Sequence, residues 1–182
     1  METSKTQSSA QVSIIIPTYN ESQNILKILK LIQDNLPKNT KTQTIVVDDN
    51  SPDGTGKLVE EYMQSVKKFA NNTIEIINRK TKDGLSSAIL KGIQIATGNT
   101  IVVMDSDLSH PATLIPKMID ALKHPKCDIV VAARYVNGGA ILGWTRKRKL
   151  LSKLATFIAK RGLGVNTKDP LSGFFALKKP VI

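Results

Sequence analysis

The sequence has little cysteine and few aromatic residues. Cys127 is the only cysteine in 182 residues, and Phe, Trp and Tyr make up 4% of the chain. A single thiol excludes an internal disulfide framework and a cysteine-based zinc site, and it fits a reducing compartment. The scarcity of aromatics predicts an aliphatic core, and the length is sufficient for one domain.

Long apolar runs are also missing. No stretch approaches the roughly 18 apolar residues that a transmembrane helix needs, and the first residues, METSKTQSSAQ, lack the apolar region of a signal peptide. We therefore expect neither element in this chain. Residues 1–11 are polar and without periodicity, which predicts a disordered N-terminal tail.

Two glycine-rich phosphate-binding patterns are absent. The chain contains neither G-x-G-x-x-G after its first strand nor G-x-x-x-x-G-K-[ST]. These absences exclude a dinucleotide fingerprint and a P-loop. A phosphate ligand would instead need a metal ion and basic side chains.

Positive charge is concentrated in the last quarter of the chain. Residues 1–133 hold 15 Lys and Arg against 14 acids, whereas residues 134–182 hold 11 against one. Such a block favours an anionic partner, although a solvated surface is the ordinary alternative. A nucleic-acid partner is disfavoured, because the block has few aromatics for base stacking and no recognised motif.

Apolar periodicity predicts alternating strands and helices. Strands are expected at 12–16, 44–47, 73–77, 101–104 and 129–133, and helices at about 22–35, 56–69, 85–97 and 111–122. Pro17 is expected to end the first strand. This alternation is typical of an α/β fold with a mostly parallel sheet flanked by helices.

The segment from Ile101 to Pro111 carries the strongest chemical signal. Four apolar residues lead directly into Asp105-Ser106-Asp107. Open α/β sheets bind ligands at the carboxyl ends of their strands, and two adjacent carboxylates favour Mg²⁺ or Mn²⁺. The alternative is an Asp that caps the next helix. His110 and His124 are interpreted as surface or helix-flanking residues.

Other predicted strands also end in polar residues. Asp48 and Asp49 follow the second strand and exceed what a turn requires, whereas Pro52, Asp53 and Gly54 are assigned mostly to the turn itself. Arg134 follows the fifth strand. If the strands are parallel, these residues converge on one edge of the sheet.

Taken together, these segments resemble a family. PTYNE, VVDDNSPDGT, RKTKDGLSSA, MDSDLSHP and AARY are similar to the motifs of family 2 glycosyltransferases with the GT-A fold, and more narrowly to dolichyl-phosphate mannosyltransferases. The similarity extends from Val12 to about Phe175. It implies a nucleotide-diphospho-sugar transferase domain over residues 12–182, with the C-terminal part of the family domain missing.

The resemblance also implies residue roles. Pro17, Tyr19, Glu21, Val47 and Asp49 would line the nucleotide pocket, with Asp49 accepting a hydrogen bond from the base. Asp105, Ser106 and Asp107 would meet the diphosphate and the metal ion. Ser109 would be a further metal ligand, at a position where many relatives have Gln. Arg134 would hold a phosphate, and Asp107 and Arg134 are the candidate catalytic residues.

The implied reaction moves mannose from GDP-mannose to dolichyl or another polyprenyl phosphate, with inversion, at the cytoplasmic face of the membrane. A different donor such as UDP-glucose, and a non-catalytic nucleotide-sugar-binding fragment, remain alternatives.

Arg146–Arg161 combines an apolar face with many cations, which predicts a basic amphipathic helix on an anionic membrane surface. Packing of that apolar face on the sheet is the alternative.

Within this segment, Arg146, Arg148, Lys149 and Lys153 are candidate contacts for the acceptor phosphate. Either a membrane-anchoring partner or the missing C-terminal segment would complete the attachment of the protein to the membrane. The expected localisation is therefore peripheral, on the membrane surface.

Overall fold

The computed structural model describes residues 11–37, 39–66, 71–133, 169 and 172–181. These residues form a six-stranded sheet in the order β3-β2-β1-β4-β6-β5. The strands are β1 (Val12–Thr18), β2 (Thr42–Asp48), β3 (Asn72–Asn78), β4 (Thr100–Val103), β5 (Ile129–Val131) and β6 (Phe175–Lys178). The helices are α1 (Ile25–Asn35), α2 (Thr55–Ser65), α3 (Leu85–Ile95) and α4 (Ile115–Leu122), with 3-10 turns at Ala112–Leu114 and Lys179–Val181.

The sheet is mostly parallel, as the alternation of strands and helices predicts. Strand β1 pairs in parallel with β2 and β4, and β2 pairs in parallel with β3. Strand β6 is the exception, because it inserts between β4 and β5 and is antiparallel to both. The five strands and four helices predicted from periodicity are confirmed, whereas β6 was not predicted.

The apolar core covers both faces of the sheet, so the central strands are buried along their whole length. On one face, Ile14, Ile16 and Val46 pack with side chains of α1, α2 and α4. On the other face, Ile15 and Ile45 pack with α3 through Ala88. Burial on both faces explains why β1 and β2 read as continuous apolar runs.

The prediction that Pro17 ends β1 is wrong. The strand continues to Thr18, and Pro17 stands opposite Val47 in the register with β2. The carbonyl of Ile15 accepts from Met104 N, so Ile15 and Pro17 both point their backbone groups toward β4. Pairing of β1 with β4 stops at Ile15. The nitrogen of Pro17, which has no hydrogen to donate, therefore meets no ladder acceptor.

The predicted disordered tail lies outside the described residues, apart from Gln11. Gln11 N donates to Lys41 O at 2.8 Å, and Thr100 N donates to Gln11 O at 3.2 Å. Helix α2 ends at Ser65, four residues before the predicted end at Phe69, because the backbone of Val66 is extended.

Candidate active site

A cleft of about 260 Å³ opens at the carboxyl ends of β1, β2 and β4. Because these strands are parallel neighbours, their ends meet at one edge of the sheet. The lining residues are Pro17, Thr18, Tyr19, Glu21, Asp49, Lys82, Gly84, Leu85, Ala88, Asp105, Ser106 and Asp107. The sheet topology therefore brings the polar strand ends together, as the sequence predicts.

The loop after β1 is held by the loop after β2. Three successive backbone N–H groups, those of Asn20, Glu21 and Ser22, donate to the side chains of Ser51, Thr55 and Asp53, each at 2.9 Å. Glu21 is further fixed by Asn24, whose amide donates to the Glu21 carboxylate at 2.8 Å. The side chains of the loop after β2 therefore fix the segment that carries Tyr19 and Glu21.

Asp53 and Gly54 belong to the turn, as expected. Gly54 has φ +84° in the left-handed region that favours glycine, directly before α2. Asp53 accepts from Thr55 N at 3.0 Å and from Thr55 Oγ1 at 2.6 Å. Although desolvation raises the pKa of Asp53, the hydrogen bonds from Thr55 and Ser22 outweigh it and lower that pKa to about 2.

Asp48 and Asp49 have different environments. Asp48 accepts from the backbone N and the hydroxyl of Ser51, at 2.9 and 2.5 Å, so its carboxylate is used by the turn. The expectation that Asp48 exceeds the needs of a turn is therefore wrong. Asp49 lines the cleft instead, and only 6% of its side chain is exposed.

Arg79 is the counter-ion of Asp49. Arg79 Nη1 lies 2.8 Å from Asp49 Oδ1, and 8% of the Arg79 side chain is exposed. Its Nη2 donates to Asp83 at 2.9 Å and to Ser87 Oγ at 2.8 Å. Hydrogen bonds from Thr81 and Arg79 lower the pKa of the Asp83 carboxyl. Arg79 therefore links the loop after β3 to Asp49 in the lining of the cleft.

Lys82 brings a positive charge into the cleft. Its Nζ lies 3.5 Å from the centre of the Tyr19 ring, a cation–π contact. Four carboxylates, Glu21, Asp49, Asp105 and Asp107, line the same cleft. Among the described residues that line it, acidic charge exceeds basic charge, so an anionic ligand would need additional cations there.

Asp105 and Asp107 differ in how they are held. The Asp105 side chain is 33% exposed, and its Oδ2 lies 3.1 Å from Nε2 of His110. Asp107 is exposed and its Oδ1 accepts from Ser109 N at 2.9 Å. Between them, Ser106 Oγ donates to Pro17 O at 3.3 Å, which ties this loop to β1.

The carboxylates of Asp105 and Asp107 fit a hard divalent cation. Each has one oxygen engaged by a local donor, and within the described part of the chain no hydrogen bond reaches Asp105 Oδ1 or Asp107 Oδ2. Carboxylate oxygens are the ligands that Mg²⁺ and Mn²⁺ prefer. No group of three or more His, Cys, Asp or Glu among the described residues makes a complete metal cage, so water or a ligand would supply the other positions.

The remaining predicted site residues have three outcomes. Val47 is fully buried in the core and does not line the cleft, so its expected place in the nucleotide pocket is not found. Ser109 is exposed and meets Asp107 through its backbone N. The other predicted cations, Arg134, Arg146, Arg148, Lys149 and Lys153, lie outside the described residues.

Sequence reasoning missed three residues at the site, Arg79, Lys82 and His110. Arg79 and Lys82 fall within the motif RKTKDGLSSA, and no local pattern marks which of its cations would reach Asp49. His110 was interpreted as a surface or helix-flanking residue, yet its side chain is 8% exposed and contacts Asp105. The close spacing of His110 to Asp105 was the available signal for that contact.

The model of the family described as Glycosyl transferase family 2 matches residues 13–182. The chain belongs to this family. The fold is the α/β fold of GT-A glycosyltransferases, with a mostly parallel sheet flanked by helices, as the resemblance implies.

Two curated relatives have names that refer to mannose and a polyprenol. The chain is 41% identical over 174 residues to a dolichol-phosphate mannosyltransferase from Pyrococcus furiosus, covering 94% of this chain and 47% of that protein. It is 33% identical to a polyprenol monophosphomannose synthase from Mycolicibacterium smegmatis, covering 93% of this chain and 62% of that protein. The chain therefore spans about half to three fifths of the length of these relatives.

Solved structures share the fold at lower sequence identity. The mannosyltransferase PcManGT from Pyrobaculum calidifontis, in complex with GDP-Man and Mn²⁺, is 23% identical with a TM-score of 0.67, covering 94% of this chain and 45% of that one. Glucosyl-3-phosphoglycerate synthase from Mycobacterium tuberculosis, with Mn²⁺, UDP-glucose and phosphoglyceric acid, is 18% identical with a TM-score of 0.66, covering 94% and 57%. At these identities the likeness concerns the fold.

Within the described residues, no helix is both long and apolar enough to span a membrane.

Proposed function

We propose that this domain transfers mannose from GDP-mannose to dolichyl or another polyprenyl phosphate by a metal-assisted, inverting displacement. The observation that carries the proposal is the acidic cleft at the ends of β1, β2 and β4, which holds Asp49, Asp105 and Asp107 together. Family membership and the names of the two curated relatives support the reaction class.

The donor would lie across the cleft from Asp49 to Asp107. Asp49 would accept a hydrogen bond from the guanine base, and Pro17, Tyr19 and Glu21 would surround the nucleoside. Asp105, Ser106 and Asp107 would meet the diphosphate. Support for this direction comes from the sheet order, in which β1 separates β2 from β4.

Mg²⁺ or Mn²⁺ would be held by Asp105 and Asp107, with Ser109 beside them. When bound, the ion supplies positive charge that stabilises the departing diphosphate. The need for a cation follows from the cleft, because its lining acids would otherwise repel an anionic donor. Lys82 would add positive charge from the side of Tyr19.

In the proposed step, an anionic phosphate oxygen of the acceptor attacks C1 of mannose while the bond from C1 to the β-phosphate oxygen breaks. GDP leaves with the bonding electrons, and the product is the polyprenyl phosphate mannose. The nucleophile is already ionised at neutral pH, so no strong general base is required. Alignment of the two substrates and stabilisation of charge are then the main contributions of the protein. Asp107 and Arg134 are the proposed catalytic residues.

The acceptor would be taken from the cytoplasmic face of a membrane. Arg134, Arg146, Arg148, Lys149 and Lys153 are the proposed contacts for its phosphate and for anionic headgroups. This part of the proposal relies on sequence, since residues 134–182 hold 11 basic residues against one acid.

A donor screen tests the proposal. The chain is incubated with Mn²⁺, a polyprenyl phosphate and radiolabelled GDP-mannose, UDP-glucose or GDP-glucose, and label is counted in the organic phase. We expect transfer from GDP-mannose, loss of transfer in EDTA, and loss in D107A. D120A, which alters an exposed carboxylate on α4, is the matched control.

The outcomes separate the alternatives. Transfer only from a UDP-sugar would contradict the choice of donor while keeping the enzyme class. Metal-dependent GDP-mannose binding without transfer to any acceptor would favour a nucleotide-sugar-binding fragment.

A further inference from the structure

Asp105 is enclosed on two sides, unlike Asp107, the other acid of the D-x-D pattern. On one side, His110 Nε2 lies 3.1 Å from Asp105 Oδ2. On the other side, a Cβ atom added at Gly173 would overlap the Asp105 carboxylate. Asp107, by contrast, is exposed and has one backbone hydrogen bond from its own loop. The two acids of the D-x-D pattern therefore differ in how closely their surroundings hold them.

The His110 ring is itself fixed in place. It is 8% exposed and packs on Phe174, with the ring centres 5.2 Å apart and tilted by 43°. Phe174 is fully buried in the core. A buried imidazole that contacts a core aromatic on one side and a carboxylate on the other has little rotational freedom.

The backbone between Asp107 and His110 contains a strained residue. Leu108 has φ +60°, a left-handed conformation that a residue with a Cβ seldom adopts. Leu108 lies in the short loop across which His110 Nε2 comes within 3.1 Å of Asp105 Oδ2, five residues earlier in the chain. Strain of this kind persists where the surrounding structure over-determines it, and it clusters at functional sites.

We propose that His110 is a positioning residue that fixes the Asp105 carboxylate for divalent-cation binding in the donor complex. By occupying Oδ2, His110 leaves Oδ1 as the oxygen available to the ion, and Gly173 provides the space for this orientation. Asp107 then adjusts to the ion and the diphosphate. The inference rests on the proposed metal-assisted function and assigns a residue role that the function alone does not require.

Two amide substitutions at position 110 provide the test. Gln places an amide N–H near the position of Nε2, whereas Asn is one methylene shorter and cannot reach Asp105. Mn²⁺ affinity of the full chain is measured with saturating GDP, by following free Mn²⁺ with electron paramagnetic resonance. H124N, at the other histidine, is the matched control because His124 is exposed.

We expect H110N to weaken Mn²⁺ binding by about tenfold or more, the usual effect of removing a group that orients a metal ligand. H110Q should stay within about threefold of the wild type, and H124N should match it. GDP affinity measured in EDTA should be the same in all four proteins, since the contact acts through the ion. G173A should also weaken Mn²⁺ binding, because its Cβ displaces Asp105.

Several results would overturn the proposal. Wild-type Mn²⁺ affinity in H110N would do so, and so would equal losses in H110N and H110Q, which would indicate packing alone. If H110N melts too early to be measured, H110L, which retains apolar contact with Phe174 but has no donor, takes its place under the same criteria. A wild-type chain that binds GDP but no Mn²⁺ would contradict both this inference and the metal-assisted function, whereas normal wild-type binding with an unaffected H110N contradicts the inference only.

Discussion

At the scale of single residues, Asp49 depends on Arg79. The ion pair is almost fully buried, with 6% and 8% of the two side chains exposed. Removing one member of a buried pair leaves an uncompensated charge, which commonly costs about 3–5 kcal/mol. We expect R79M to lower the free energy of unfolding by about 3 kcal/mol, toward the low end because Asp49 borders an open cleft.

Urea denaturation followed by circular dichroism measures this loss. K80M is the matched control, since Lys80 is the exposed neighbour of Arg79 and its removal should change stability by no more than about 0.5 kcal/mol. Equal unfolding midpoints for R79M and wild type would show that the pair contributes nothing to the fold.

Asp53 should make stability depend on pH in the acidic range. Its pKa is about 2 in the folded protein against an ordinary value of 3.8, so the folded state favours the ionised carboxylate. The contribution is therefore fully present above pH 3.8 and is lost as pH falls toward about 2. Wild type should melt above D53N at neutral pH, and the difference should close across that window. A difference in melting temperature that stays constant with pH would contradict this assignment.

The turn residues could be predicted because their chemistry is local. Asp53 and Gly54 act within one turn, and their residue types already indicate it. Asp48 and Asp49 are adjacent and identical in type, so sequence could not distinguish them. Their roles are set by Ser51, three residues away from Asp48, and by Arg79, which lies on the loop after β3.

At the scale of elements, α3 packs unusually close to β1 at Gly92. A Cβ at position 92 would lie 2.5 Å from Cγ2 of Ile15, in the centre of the sheet. Alanine would improve helix propensity by roughly 1 kcal/mol, but overpacking a core typically costs about 1–3 kcal/mol. We expect G92A to destabilise the protein by up to about 2 kcal/mol.

Thermal and urea unfolding of G92A and K91A provide the comparison. Lys91 is the exposed neighbour on the same helix, so K91A reports propensity without the clash. Stabilisation of G92A would show that α3 can shift away from β1 at little cost.

Strand β6 could not be predicted for a related reason. Its four residues, Phe175–Lys178, are too few to establish a period. Its pairing depends on β4 and β5, whose residues lie far away in the sequence. Strands β1, β2 and β4, in contrast, were recognisable because burial on both faces leaves an apolar run in each strand or directly beside it.

At the scale of the whole molecule, charge separates the cleft from the end of the chain. Acids exceed the single lysine among the described lining residues of the cleft, while residues 134–182 carry a net charge of +10, from 11 basic residues and one acid. Each Lys or Arg near an anionic leaflet contributes about 1 kcal/mol. We expect co-sedimentation with phosphatidylserine vesicles that decreases as salt rises, because exposed charges are screened beyond about 8–10 Å.

Neutral phosphatidylcholine vesicles are the control for this measurement. Equal binding to both vesicle types, or no binding to the anionic ones, would rule out the anionic membrane surface as a partner. A variant in which Gln replaces Arg146, Arg148, Lys149 and Lys153 should show the largest loss of binding to phosphatidylserine vesicles.

The position of β6 between β4 and β5 also determines when the sheet can be completed during synthesis. Among the described strands, β5 pairs with β6 only, and 43 residues, 132–174, separate the two. A ribosome adds about 5–20 residues per second, so roughly 2–9 s pass between completion of β5 and completion of β6. During that interval the outer edge of β4 has no partner, and an open strand edge is where another chain can add. The edge of β4 in the nascent protein is therefore most exposed to mispairing after the cleft residues have been synthesised and before β6 completes the sheet that supports them.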